Sequence, residues 1–151
     1  MITRLIASLF QVFMGYLQLG FRVLILRAKP EEYPVPTPFG VKITRGLVAF
    51  VVAIGHLATT KPLHADDLFG AALAGIVGAL FAWVLIWHVG RTSGVPKGSA
   101  IAALIMTHAI IESSFVAALP RTISHPIELG LLAAYALGFF RVMIQKTEAS
   151  E

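Results

Sequence analysis

The sequence contains no cysteine, which removes disulfides, thiolate metal ligands and cysteine nucleophiles together. Charge is scarce as well. Asp, Glu, Lys and Arg make up 13% of residues against 57% hydrophobic ones, and the mean hydropathy is +0.81. So few polar side chains cannot cover a water-facing globule, so the solvent that fits the chain is a bilayer. Catalytic signatures are missing too. No HExxH occurs, and Ser113 and Ser114 lack a nucleophile elbow. The segment GRTSGVPKGS at 90–99 lacks the glycine spacing of a phosphate loop, and no strand precedes it. No internal repeat is visible, which excludes a solenoid. An enzyme is therefore not expected.

What the sequence does have is apolar runs, at residues 5–26, 46–58, 68–89, 100–119 and 127–144. A hydrocarbon core of about 30 Å takes roughly 20 helical residues per crossing. The chain has room for four or five crossings and no separate soluble domain. The run at 68–89 is the strongest, with no charged residue and only His88 as a titratable group. The expected fold is an all-α integral membrane protein: an antiparallel bundle of four transmembrane helices, preceded by an N-terminal helix that is either a fifth span or interfacial. By segment, residues 1–29 form that helix, 30–45 a proline-rich connector, 46–146 the bundle and 147–151 a polar tail. Pro30, Pro34, Pro36 and Pro38 fix φ and remove backbone donors, which predicts an extended, exposed connector over 30–40.

The net charge of +4 does not point to nucleic acid, because the basic residues sit at the ends of apolar runs. One side collects Arg27, Lys29, Lys42, Arg45, Arg91, Lys97, Arg141 and Lys146, and the other only Lys61 and Arg121. By the positive-inside rule the connector, the 90–99 loop and the C-terminus are cytoplasmic in a plasma or inner membrane, and 61–67 and 120–126 face out. Ala71, Gly75 and Ala79, and again Gly130, Ala134 and Gly138, recur every four residues, a spacing that lets helix backbones approach closely in lipid. Trp83, Trp87 and His88 suit the headgroup zone as anchors.

The N-terminal helix carries a periodic stripe of polar or minimal residues: Arg4, Ser8, Gln11, Gly15, Gln18 and Arg22. Lying in the interface, the helix would turn this stripe to water and headgroups. Crossing the membrane, it would use Gln11, Gln18 and Arg22 as contacts to an oligomeric partner, or pack the stripe on the bundle.

Ionisable residues within apolar helices are the default place to look for function. Glu112 stands out. It lies twelve residues past Ala100, about 18 Å along a helix and so near the midplane. His108 is one turn away on the same face, His56 is expected at similar depth, and Thr107, Ser113 and Tyr135 are candidates for the same layer. A desolvated carboxyl beside an imidazole can hold or pass a proton, although a quiet structural bond is the competing reading. His56 and His108 also raise haem or metal ligation. So, more weakly, do His64, Asp66, Asp67, His125 and Glu128 at the outer loops, where interfacial anchoring competes. No cofactor is predicted. Three functional readings follow. The leading one is a non-catalytic subunit or accessory protein of a larger membrane assembly, partnered by other membrane subunits or by copies of itself. The alternative is a small proton- or ion-coupled transporter or channel using the Glu/His cluster, and the third is a haem- or metal-binding membrane protein.

Overall fold

The computed structural model describes residues 2–59 and 65–145. It is 87% helical, with no strand among the described residues. Five long helices follow in order: α1 (Ile2–Leu24), α2 (Pro38–Thr59), α3 (Ala65–Thr92), α4 (Val95–Ser114) and α5 (Arg121–Ile144). Short 3-10 turns at Pro30–Glu32 and Val116–Ala118 lie between α1 and α2 and between α4 and α5. Among the described residues four stretches are long and apolar enough to cross a membrane: Pro38–Leu57, Leu68–Thr92, Val95–Ala118 and Thr122–Ile144.

Helix α4 is the axis of the bundle and packs against α1, α2, α3 and α5. Every residue from Lys97 to Thr107 is buried. The reason is in the sequence, because Gly98, Ser99, Ala100, Ala102 and Ala103 give neighbours close access from several sides. The exterior is apolar in turn. Phe50, Phe69, Leu73, Ile76, Val77, Leu80, Leu137 and Phe140 are all exposed. A belt of that size marks a surface made for lipid or protein rather than water.

Helix α1 is part of this bundle. Its buried face carries Tyr16, Leu19, Val23 and Leu24, and a Cβ on Gly20 would fall onto the Ala103 carbonyl oxygen and the Thr107 hydroxyl. Leu17 meets Thr107 while Gly20 meets Ala103, so α1 runs antiparallel to α4. Val23 lies by Gly138 and Leu26 by Arg141, so it runs parallel to α5.

Several helix ends differ from the sequence reading, and prolines explain most of them. Helix α2 begins at Pro38 rather than 46 and takes in Lys42 and Arg45; proline is well suited to a first helical turn. This lengthens a run that looked short for a span. Helix α4 begins at Val95, with Pro96 in its first two positions and Gly94 before it at φ +97°, so the 90–99 loop shrinks to a tight turn. Helix α5 begins at Arg121 and carries Pro126 inside. The connector is not uniformly extended and exposed. Residues Pro30–Glu32 form a 3-10 turn and Tyr33 is buried at 5% exposure.

The connector is held by a network at one end of the bundle. Glu32 accepts a hydrogen bond from Arg22 at 2.6 Å and one from the Lys29 N–H at 3.1 Å. The Tyr33 hydroxyl donates to Gln145 Oε1, and Gln145 Nε2 donates to the Ala28 carbonyl at 3.5 Å. Arg141 donates to the Leu26 carbonyl, where α1 ends on a residue with φ +59°. Lys97, 8% exposed, donates from Nζ to the Met143 carbonyl at 2.8 Å. A cation at the last turn of α5 satisfies orphan carbonyls and opposes the helix dipole. Arg22 is paired with Glu32 within its own chain. Gln11, Gly15 and Gln18 are exposed on the face of α1 turned away from α4. Over these three residues the stripe does not pack on the bundle.

Candidate functional site

The opposite end of the bundle gathers the ionisable residues. Helix α2 supplies His56, α4 supplies His108, Glu112 and Ser113, and α5 supplies Tyr135 to one cavity of about 240 Å³. Helix α3 closes it with Gly78, Phe81 and Ala82. The convergence follows from antiparallel packing. His56 lies in the last turns of α2 and Glu112 in those of α4, and the two helices run the same way, since Gly55 packs by Ala109 and Ser113.

His108 and Glu112 are one helical turn apart, a spacing that puts both on one face. His108 Nδ1 lies 3.6 Å from Glu112 Oε2, with side-chain exposures of 21% and 50%. That separation is an ion-pair distance, longer than a formed hydrogen bond. The His108 ring packs on Tyr135 with centroids 5.0 Å apart and planes inclined at 57°, which fixes the imidazole and leaves the carboxylate less constrained. Ser113 donates to the Ile110 carbonyl at 3.3 Å, a local bond within the helix.

A second space of about 220 Å³ adjoins the first. His108, Glu112 and Leu132 line both, and His125, Glu128, Leu129 and Leu131 complete the second. Here His125 Nδ1 stands 4.0 Å from Glu128 Oε2.

The expected cluster of His56, His108, Glu112, Ser113 and Tyr135 thus comes together, with two corrections. Thr107 belongs to the other side of α4, where its hydroxyl donates to the Leu17 carbonyl at 3.3 Å; it is 100° around the helix from His108. Glu112 is also displaced from the centre of α4. Because α4 starts at Val95, Glu112 falls two residues before the helix ends at Ser114, while the apolar stretch runs on to Ala118.

Of the outer-loop candidates, His64 lies outside the described residues, as do the side chains of Asp66 and Asp67. His125 and Glu128 face the groove beside Glu112. Sequence reasoning grouped them with the loops because it started the fifth helix after Pro126; their three-residue spacing, continued into the helix, would have placed them on its face. Among the described residues no group of three or more His, Cys, Asp or Glu side chains is arranged to hold a metal ion.

Comparison of the chain with protein-family models, with curated proteins and with solved structures gives no match, so the reading of this site rests on its own residues. What the described residues define is an all-helical bundle, with four helical stretches long and apolar enough to cross a membrane and a carboxylate–imidazole cavity near one end.

Proposed function

We propose that this chain is a small multi-pass membrane protein that takes up and releases a proton or small cation at the His108–Glu112 pair, working as a proton- or ion-coupled transporter or channel. The observation that carries this reading is the convergence of His56, His108, Glu112 and Tyr135 from three helices on one cavity. A carboxylate in a low-dielectric cavity is costly to keep charged, and a nearby imidazole lowers that cost by sharing a proton or by carrying the opposite charge. At 3.6 Å the two groups are in contact without a formed hydrogen bond, so a proton, or a water or cation approaching from the cavity, can change the partnership. Helix α1, antiparallel to α4 and parallel to α5, makes a fifth crossing on this reading. With the eight-to-two distribution of basic residues, the connector end and the C-terminus are cytoplasmic, and the cavity end faces outward.

The test is flux in proteoliposomes. Wild-type protein is expected to dissipate an imposed proton or cation gradient, and Glu112→Gln to abolish that flux while the fold survives. Undiminished flux in Glu112→Gln would overturn the proposal.

One observation favours a second reading, a subunit of a larger assembly. Gln11 and Gln18 are exposed and face away from the bundle. In lipid such amides are best satisfied by a neighbouring helix. Substituting both with Leu and comparing assembly size in native membranes tests it; unchanged assembly sinks the subunit reading.

A further inference from the structure

We infer that the groove between α4 and α5, lined by His125 and Glu128, is the water-filled entrance to the cavity, and that these two residues are its outer relay. The inference rests on the proposed function, since an entrance has meaning only if Glu112 exchanges something with solution.

Three observations lead to it. The groove and the cavity share His108, Glu112 and Leu132, so they adjoin at those side chains. The groups are also ordered by depth. Helix α5 starts at Arg121, which puts His125 and Glu128 about 6 and 10 Å along it and Leu132 about 16 Å. Helix α4 runs the other way and presents Glu112 and then His108 to the same descent. His125–Glu128 is therefore the outer pair, His108–Glu112 the inner one, and His56 and Tyr135 face the cavity beyond. Finally, the groove is open to the exterior, with the His125 and Glu128 side chains 74% and 47% exposed.

Electrostatics decides what fills the groove. Lipid tails would leave two carboxylates and two imidazoles without polar partners beyond each other, at separations of 3.6 and 4.0 Å that are too long for formed hydrogen bonds. Water satisfies them, and intramembrane ionisable groups normally face such water-filled space. A proton or cation arriving from solution then meets Glu128 first and passes inward to Glu112, with Leu132 as the apolar constriction between groove and cavity.

The absence of native cysteine makes the test clean. Single cysteines replace Leu129 and Leu132, with Thr122→Cys marking the bundle end and Leu137→Cys, exposed but lining neither space, as the lipid-facing control. A membrane-impermeant thiosulfonate is applied to vesicles of both orientations. Leu129→Cys and Leu132→Cys are expected to react only from the side that labels Thr122→Cys, and far faster than Leu137→Cys. Reaction no faster than the control overturns the entrance. In flux assays Glu128→Gln and His125→Ala are each expected to slow transport about tenfold or more, in keeping with loss of a positioned proton-transfer group; unchanged flux overturns the relay. The two ideas fail separately. Wild-type flux lost in Glu112→Gln together with inert groove cysteines removes the entrance and keeps the proposed function, whereas reactive cysteines without wild-type flux show a water-filled groove but remove the proposed function and, with it, the relay.

Discussion

At the connector end of the bundle Lys97 lies 2.8 Å from the Met143 carbonyl and Arg22 2.6 Å from Glu32, while Tyr33, Gln145 and Arg141 bond to named partners on α1, α5 and the connector. At the cavity end, His108 and Glu112 stand 3.6 Å apart and His125 and Glu128 4.0 Å apart, beside open space. Both ends hold ionisable groups in an apolar bundle, and they hold them differently. Where polar side chains are hydrogen-bonded across segments they tie helices together, although Arg45 Nε at the same end is buried without a partner among the described residues. Where they are loosely paired around a void they remain available to a proton, an ion or water. Packing between the ends is tight, with Ala100–Leu104 fully buried, so the two behaviours stay apart.

The largest expected effect breaks the layer that joins the two ends. Gly20→Val pushes side-chain atoms into the Ala103 carbonyl, which is backbone and cannot yield, and is expected to cost about 3 kcal/mol or more through overpacking. Gly15→Val, where nothing lies within 4 Å, is expected to be near neutral. Denaturant or thermal unfolding in detergent compares the two, and equal stability would remove the α1–α4 crossing from the account. Next comes Lys97→Met. It deletes a buried, charge-assisted hydrogen bond and is expected to cost about 2 kcal/mol with flux retained. The matching change at the other end, Glu112→Gln, is expected to move stability by no more than about 0.5 kcal/mol while abolishing flux.

That pair of substitutions also shows what was legible in the sequence. Glu112, His108 and His56 stood out because ionisable residues are rare in apolar runs, and their helical spacing placed two of them on one face. Lys97 was equally visible, yet as one of eight basic residues marking the cytoplasmic side. Its burial depends on Pro96 and Gly94 drawing it into the first turn of α4 beside the end of α5, a contact between segments 46 residues apart. Tyr33 was hidden by the prolines around it. Their backbone restrictions predict an extended strand of connector, but burying an aromatic ring and bonding its hydroxyl to Gln145 outweighs that local preference. The outward face of Gln11 and Gln18 was undecidable, because a stripe shows which residues share a face and not which face the neighbours take. Here Gly20, outside the stripe, sets the crossing.

Smaller effects sharpen the connector side. Tyr33→Phe removes one hydrogen bond to Gln145 and is expected to cost about 1 kcal/mol. Burial raises the pKa of this hydroxyl above its ordinary value of 10.0, which keeps it a donor across the neutral range. The smallest effect is a pH dependence at Glu32. The Lys29 N–H, against an opposing effect of burial and with the help of the Arg22 guanidinium, holds its carboxyl below the ordinary value of 4.5. Because the folded value is the lower one, this contribution to stability is complete above 4.5 and is lost as pH falls through the folded value. Glu32→Gln is expected to flatten the acid limb of a Tm-against-pH curve, and an unchanged limb would place its origin elsewhere.

The central claim is that the cavity end works and the connector end holds. It is tested most directly by measuring flux and Tm together for wild type, Glu112→Gln and Lys97→Met in the same proteoliposome preparation. Glu112→Gln is expected to lose its flux at wild-type Tm, and Lys97→Met to keep its flux at a lowered Tm. Flux that survives Glu112→Gln, or that disappears in Lys97→Met below its unfolding temperature, would contradict the account.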